Sequence, residues 1–257
     1  MRRVTVALTI VALALATAAC SGHHAKAPAA PAASSQVPKA IKLPKGSEPV
    51  QLDPAQFSSQ IDNPYWPMAP GSRWVYRETD GQGGQQRIEV TVTNQTKKIM
   101  GIEARVVHDV ASEGGQVVED TFDWYAQDAQ GNLWYMGEGT KEFENGKFKS
   151  AAGSWQAGVK GAQPGIVIPA APKPGLAYRQ EYLKGQAEDN AAVISIAKQA
   201  TVPFGSFSGM LQTKETTPLE PGVVEQKFYA RGVGQVLALT TSGGSDREEL
   251  LSYVQGS

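Results

Sequence analysis

The segment Val117–Met136, VVEDTFDWYAQDAQGNLWYM, decides the fold of this chain. It reads as a long strand, a tight turn and a second strand. Asp128 opens the turn and Gly131 closes it, as in a type I turn followed by a glycine bulge. A calcium loop is the alternative, but Gln130 stands where a carboxylate would help and no glutamate follows at the required spacing. The segment therefore predicts a β-hairpin.

A shorter version of this hairpin returns at Val223–Leu239, VVEQKFYARGVGQVLAL. Other landmarks return with it, each 103 to 106 residues further along the chain. They are Pro70-Gly71 with Pro174-Gly175, Gly101 with Gly205, Val117 with Val223, and Gly131 with Gly234. A fixed offset between similar segments is typical of an internal duplication. The sequence therefore predicts a repeated β unit covering about residues 70–138 and 174–242.

Strand signals dominate the chain after residue 61, and no segment has convincing helical periodicity. We therefore predict an all-β protein of about twelve antiparallel strands. Its two similar halves would form one barrel-like or sandwich body over residues 61–257. The alternative is two separately folded small domains, joined by the aperiodic stretch Gly153–Pro174. Residues 248–254 are compatible with a strand or with a terminal helical turn.

The N-terminus has the pattern of an export signal over residues 1–19. Arg2-Arg3 is followed by an apolar run and four small residues, and then by Cys20, the only cysteine in the chain. The segment LATAA before Cys20 resembles a bacterial lipoprotein signal, with Thr17 where that family usually has leucine. The resemblance implies that Cys20 carries fatty acid such as palmitate and anchors the exported chain to the cell membrane, facing the extracytoplasmic side. Ordinary secretion with a free thiol is the alternative.

Residues 20–60 are rich in alanine and proline, which predicts a disordered tether. His23-His24 within it suggests a metal site only weakly, because adjacent histidines in such a tail are usually solvated. The chain of 257 residues has a formal charge of −1, so neither nucleic acid nor an acidic surface is expected as a bulk partner.

Motifs for catalysis, cofactors and metals are missing from the sequence. Gly205–Gly209 resembles a nucleophile elbow, but Phe207 occupies the position of the nucleophile. The sequence contains no phosphate-binding loop and no cysteine pair for zinc. His108 is the only histidine after the tether, which disfavours a multi-histidine metal site. We therefore expect no enzyme, no cofactor and no metal.

One polar constellation is left, His108 and Asp120. A three-residue loop, Glu113–Gly115, would place these two side chains directly opposite each other on an apolar face, with Arg105 opposite Asp123. Such a pair can act as an acid and a base. It can also be a buried, mutually satisfied pair that fixes the strand register, and this is the favoured interpretation.

Aromatic residues occupy both faces of the central hairpin. Trp124 and Trp134 fall on one face, and Tyr125 and Tyr135 fall on the other. They predict a core together with a partly covered outer face, or else an apolar cavity for a hydrophobic ligand. The Tyr125 and Tyr135 face is also a candidate surface for an envelope protein.

Two segments of the second half carry a family resemblance, Thr201–Phe207 and Lys227–Val236. Their patterns, V-P-x-G-x-F and Y-x-x-G-V-G-x-V, resemble those of uncharacterised exported bacterial proteins and lipoproteins. The resemblance implies an antiparallel β domain, open or closed like a lipoprotein carrier, and it transfers no catalytic residue. Two functions follow as expectations: a lipid-anchored binding or carrier module with its ligand between the halves, or a structural module of the envelope.

Overall fold

A computed structural model describes residues 42–257, and this part of the chain is almost entirely β-structure. It has sixteen strands, one 3₁₀ turn at Pro54–Gln56, and no helix long and apolar enough to cross a membrane. The strands are β1 (Phe57–Ser58), β2 (Arg73–Thr79), β3 (Gln85–Ile99), β4 (Ile102–Glu113), β5 (Gln116–Asp128), β6 (Leu133–Glu144), β7 (Lys147–Ser150), β8 (Trp155–Gln156), β9 (Gln163–Ile168), β10 (Ala177–Arg179), β11 (Glu181–Tyr182), β12 (Asn190–Val202), β13 (Gly205–Thr216), β14 (Val224–Ala230), β15 (Gly234–Ser242) and β16 (Arg247–Val254).

All strands pair antiparallel within one sheet, which curves into a nearly closed barrel. The order is β10-β12-β13-β14-β15-β16-β2-β3-β4-β5-β6-β9-β11, with β1 on β5, and β7 and β8 on β6. The predicted all-β class is confirmed. More strands form than the predicted twelve. Gly153–Pro174, expected to be aperiodic, contains β8 and β9, the predicted tether contains β1, and one predicted strand is divided into β10 and β11. The apolar run Ile166–Ile168 lies in β9, where it pairs with β6.

Two meanders with the same order make up most of the sheet. They are β2-β3-β4-β5-β6 and β10-β12-β13-β14-β15. Strand β16, which the sequence left open between a strand and a helical turn, lies between β15 and β2 and hydrogen-bonds to both. Because β16 makes the two meanders continuous, the alternative of two separately folded domains is wrong.

Trp66 identifies the inner face of the barrel. Its ring contacts Trp74 of β2, Tyr125 of β5 and Tyr229 of β14, with centroid distances of 6.5, 6.1 and 5.7 Å. Strands so far apart in the sheet can meet one side chain only on the enclosed side. Side chains alternate along each strand, so the neighbours of Tyr125, including Trp124, lie on the outer face.

The turn at Asp128 is confirmed in detail. The Asp128 carboxylate accepts from the backbone N–H groups of Gln130 and Asn132, from Asn132 Nδ2 and from Trp134 Nε1, at 2.8 to 3.0 Å. Gly131 has a φ of 92°, a conformation that glycine adopts without strain. Protein donors therefore occupy the positions that a cation would need, and Asp128 stabilises the turn.

The barrel is joined at its seam by a short ladder and by side chains. Strand β11 begins two residues after β10 ends, and it pairs with β9 at two positions, Glu181 with Pro164 and Tyr182 with Gln163. Arg179 adds side-chain bonds at the same place, donating to the carbonyls of Pro164, Gly46 and Glu48 at 2.7 to 2.8 Å. The guanidinium is buried, and burial lowers its pKa to about 10. Three carbonyl acceptors compensate part of the cost of burying this charge.

The tether is shorter than the composition suggested. Residues 42–60 were assigned to it, yet Leu43, Val50, Leu52 and Phe57 pack against the core. Phe57 and Ser58 also form β1 on the edge of β5. The sequence did not predict that residues 42–60 pack on the barrel, because apolar residues spaced widely among prolines give no periodic signal. Residues 1–41, with Cys20 and His23-His24, lie outside the described part of the chain.

Candidate functional site

An open groove of about 550 Å³ lies on the outer face of the barrel. The β4–β5 turn and the β6–β7 turn form its two sides. The second turn is Asn145-Gly146, and both residues have positive φ angles, 53° and 71°, as a two-residue hairpin of type I′ requires. The groove is lined by His108, Val110, Gly115, Gln116, Val117, Asp120, Phe143 and Gly146.

The predicted polar pair forms within this groove. His108 Nε2 lies 2.7 Å from Asp120 Oδ1. The imidazole also stacks on Phe122, with a centroid distance of 4.4 Å and an interplanar angle of 5°. The side chains of His108 and Asp120 are 35% and 29% exposed. The pair is therefore half-buried and reachable from solvent, whereas the sequence argument expected it to be buried in an apolar face.

The register that led to the pair is wrong by two residues. The β4–β5 turn has two residues, Gly114 and Gly115, and a bulge follows between Ala111 and Ser112. His108 consequently stands opposite Phe122, and Asp120 stands opposite Val110. Because side chains alternate with a period of two, a shift of two residues keeps both on the same face. They meet as diagonal neighbours, within the reach of an imidazole ring.

The same shift removes the second predicted pair of this hairpin. Arg105 stands opposite Tyr125, not Asp123. Its guanidinium donates to the backbone carbonyls of Ser59, Thr93 and Gln95 instead. The attractive cross-strand pair that seemed to fix the register therefore does not form.

The second half of the barrel contains a matching arrangement. Gln212 stands opposite Phe228, and its Nε2 donates to Gln226 Oε1 at 2.7 Å. These residues follow His108, Phe122 and Asp120 by the offsets of the repeat. The diagonal hydrogen bond thus recurs in both halves, which supports its role in the strand register. In the first half the corresponding pair is His108 and Asp120, which is ionisable and open to the groove.

Trp124 and Trp134, which the sequence analysis named as candidate ligand contacts, are covered by other side chains of the protein. Lys97 Nζ covers the Trp124 ring at 3.2 Å from its centroid, which leaves 8% of Trp124 exposed. Trp134 is fully buried, donates to Asp128 and packs edge-on against Phe57 at 5.8 Å. Neither lines the groove.

The tyrosines face the inside of the barrel. Tyr125 and Tyr135 stack with a centroid distance of 5.0 Å, and Trp155 packs edge-on against Tyr135. Tyr135 Oη lies 2.6 Å from Asp123 Oδ1 and 3.1 Å from Glu138 Oε2. Tyr125 and Tyr135 thus lie on the enclosed face, and their use as a contact surface for an envelope protein stays a prediction.

The inner face also carries ionisable groups that the sequence analysis missed. Burial raises the pKa of the Asp109 carboxyl well above its ordinary value, and the nearby Asp123 carboxylate adds to the effect. Lys227 pairs with Glu215 and Glu225 at 2.9 and 3.3 Å. Burial alone would lower the pKa of Lys227, but its two carboxylate partners outweigh it and raise that pKa. A wholly apolar ligand between the two halves would desolvate these groups, so the interior is a poor place for one.

The signal for this polar interior was present in the alternation of the strands. Asp123 shares the face of Tyr125, which the sequence analysis treated as partly covered and outer, and Glu78 and Lys227 share faces with Tyr76 and Tyr229 in the same way. No cluster of three or more histidine, cysteine or acidic side chains suited to a metal occurs within residues 42–257.

Comparisons with known proteins give weak similarities. No family model matches the sequence, and no curated protein matches it. Among solved structures, a candidate exported protein with a YmcC-like fold from Bacteroides fragilis is 12% identical, with a TM-score of 0.45 over 74% of this chain and 99% of that one. A candidate lipoprotein from Parabacteroides distasonis is 12% identical, with a TM-score of 0.42 over 74% and 98%. Similarities of this size assign neither a family nor a function to the chain.

Proposed function

We propose that this chain is a lipid-anchored, non-catalytic binding module of the bacterial cell envelope, and that the groove at His108 is its ligand site. The observation that carries the proposal is the groove itself. Its volume of about 550 Å³ falls within the range of about 300–1,000 Å³ typical of small-molecule sites. Such sites combine an apolar lining with a few convergent polar groups. In this groove, Val110, Val117 and Phe143 supply the apolar lining, and His108 and Asp120 supply the polar groups.

The lining indicates a small amphipathic ligand. The apolar part of the ligand would contact Val117 and Phe143. Its polar group would bind the hydrogen-bonding positions that the pair does not use on itself, the second ring nitrogen of His108 and the second oxygen of Asp120. A neutral hydroxyl or amide group, which can both donate and accept, suits these two positions.

The composition of the groove supports binding over catalysis. An imidazole and a carboxylate that activate a nucleophile need a hydroxyl, thiol or amine within hydrogen-bonding reach. The residues that line the groove include no serine, threonine, cysteine or lysine. Asp120 and His108 therefore act as recognition groups in this proposal.

The repeat supplies a test that changes the chemistry and keeps the architecture. The double variant His108→Gln/Asp120→Gln reproduces the Gln212–Gln226 pair of the second half. We expect its free energy of unfolding to stay within about 1 kcal/mol of the wild type, since the pair is half-exposed. Native mass spectrometry of protein purified from its own host should show a small molecule on the wild type and a clear loss of it on the variant.

A variant with substitutions outside the groove separates ligand binding from general damage. Thr201 and Ser206 form a cross-strand hydroxyl pair on the exposed surface of the second half, at 2.9 Å. The variant Thr201→Ala/Ser206→Ala should keep the bound molecule. The proposal fails if the wild type carries no ligand, or if the glutamine exchange leaves ligand occupancy unchanged.

A further inference from the structure

Two hairpin tips at equivalent places of the repeat lie on the same rim of the barrel. Strand β12 is separated from β3 by six antiparallel steps in the sheet order, so the two strands run in the same direction. The β3–β4 turn at residues 99–102 and the β12–β13 turn at residues 202–205 therefore lie at the same end. The tip residues are Met100 and Phe204, related by the same offset as Gly101 and Gly205.

Both tips expose a large apolar side chain. Met100 is 39% exposed and Phe204 is 40% exposed. Each tip has an apolar neighbour. Val159 follows Gly158, where an added Cβ would lie 3.0 Å from Met100 Cγ, and the Phe207 ring stacks on Phe204 with a centroid distance of 6.3 Å. Exposed apolar side chains also occur at the opposite end, where Phe148 and Leu219 are 61% and 43% exposed, so the charges beside the tips have to distinguish the two ends.

Basic residues accompany the tips. Lys160 directly follows Val159, and Lys198 lies in β12 on the approach to Phe204; both are exposed. Lys98 precedes Met100, although Glu103 stands opposite it in the register. On the opposite rim, the turns carry the exposed acids Asp80, Glu113 and Glu144, and Lys147 is the exposed base of the β6–β7 turn. The apolar tips thus lie at the end whose turns are the more basic.

We infer that this rim, the Met100–Phe204 rim, docks onto the surface of a lipid bilayer that contains anionic lipids. Two separate tips, each built from one or two apolar side chains, suit a plane that accepts shallow insertion at several points. They suit a folded protein partner less well, since stable protein interfaces bury about 800 Å² on each side in one continuous patch. Lysines beside the tips would add attraction to anionic headgroups.

The position of the proposed anchor is compatible with this orientation. About 22 residues separate Cys20 from the first described residue, and a chain of that length spans at most about 75 Å when fully extended. The longest strand of the barrel has 15 residues, or about 50 Å. Either rim could therefore face the membrane, and the more basic turns beside Met100 and Phe204 select their rim. The length of chain between the membrane and the barrel matters only if the lipid anchor of the proposed function exists. The contact between the rim and lipid does not depend on that anchor.

The test measures the rim without the anchor. The full chain with Cys20→Ser, purified from the exported fraction, is sedimented with phosphatidylcholine vesicles with and without phosphatidylglycerol. We expect binding to the anionic vesicles, and about tenfold weaker binding after Met100→Ser/Phe204→Ser in the same chain. Lys160→Gln/Lys198→Gln should weaken binding to anionic vesicles only.

A matched control lies on the other rim. Phe148, 61% exposed at the β6–β7 hairpin, offers a larger apolar surface than either tip. Phe148→Ser should leave vesicle binding unchanged. The inference is overturned if the Cys20→Ser chain binds no vesicles, or if Phe148→Ser weakens binding as much as the tip variant does. It is also overturned if sedimentation velocity shows a dimer that the tip variant dissociates, because the rim would then join two copies of the chain.

Discussion

Glu248 should make the protein less stable as the pH rises through neutrality. It lies on the inner face, directly opposite Glu78, and accepts a hydrogen bond from Gln235 Nε2. Burial, with the Glu78 carboxylate as the next cause, raises the pKa of Glu248 from 4.5 to about 8. Between these two values the unfolded chain has lost the proton that the folded protein still holds. Stability therefore falls with pH across that window, and Glu248 makes no such contribution below pH 4.5.

The magnitude follows from the width of the window. The window from 4.5 to about 8 covers about 3.5 pH units at about 1.4 kcal/mol each, so the upper bound is about 5 kcal/mol. Glu248→Gln keeps the shape and an oxygen that can accept from Gln235, but it cannot ionise. We expect the variant to match the wild type near pH 4.5 and to exceed its free energy of unfolding by about 2–4 kcal/mol at pH 8. Urea unfolding followed by tryptophan fluorescence at both pH values measures this.

The neighbouring residue is a control of opposite sign. Glu249 lies on the outer face and accepts from Arg247 and Arg77 at 2.6 and 3.0 Å. Burial is the largest single cause and raises the pKa of Glu249, but the hydrogen bonds and charges of the two arginines together outweigh it and hold that pKa below its ordinary value. Its stabilisation is present above pH 4.5 and is lost as the pH falls through the lowered pKa, so Glu249→Gln should destabilise at pH 8. The reasoning is refuted if wild type and Glu248→Gln lose stability in parallel between pH 4.5 and 8.

Three further substitutions test the anchor, the central turn and the inner packing. Cys20→Ser should abolish acylation and release the protein into the soluble exported fraction, and fatty-acid labelling that still marks the variant would contradict the anchor. Asp128→Ala should cost about 3–5 kcal/mol in urea unfolding because it strands four donors; a cost below about 1 kcal/mol would show that water replaces the carboxylate. Gly234→Ala should cost more than Gly232→Ala, by about 1–3 kcal/mol, since both have positive φ but only a Cβ at Gly234 meets Trp66. Equal costs would mean that Trp66 moves freely.

The features that could be predicted from the sequence are local or repeated ones. The turn at Asp128 depends on residues within a few positions of one another, and its side-chain donors are all within six residues. The two meanders could be recognised because their turns recur at a constant offset. The pairing of β16 with β2 depends on residues more than 160 positions apart, such as Glu248 and Glu78, and no local pattern indicates it.

The site was only partly predictable for two physical reasons. Alternation assigns side chains to two faces, but it does not say which face is enclosed when both carry aromatics, as they do at Trp124 and Tyr125. The register depended on a bulge at Ala111 and Ser112, which leaves no clear trace in the sequence. The contact between His108 and Asp120 was nevertheless found, because an error of two residues keeps the same face.

The seam at Arg179 has a mechanical consequence. Pro44 O accepts from the Arg179 backbone N–H, and the carbonyls of Gly46 and Glu48 accept from its guanidinium. A pull on the N-terminal side of the chain reaches these few bonds before it loads any ladder between long strands. They would break first, at a lower force than a ladder sheared along its length. Tension would then release residues 42–50 as slack, while the β9–β11 ladder and the bonds from Tyr178 to Val167 and from Arg179 to Pro164 still hold the gap. The first element to yield under load is therefore the N-terminal segment that covers the seam, while the sheet stays intact.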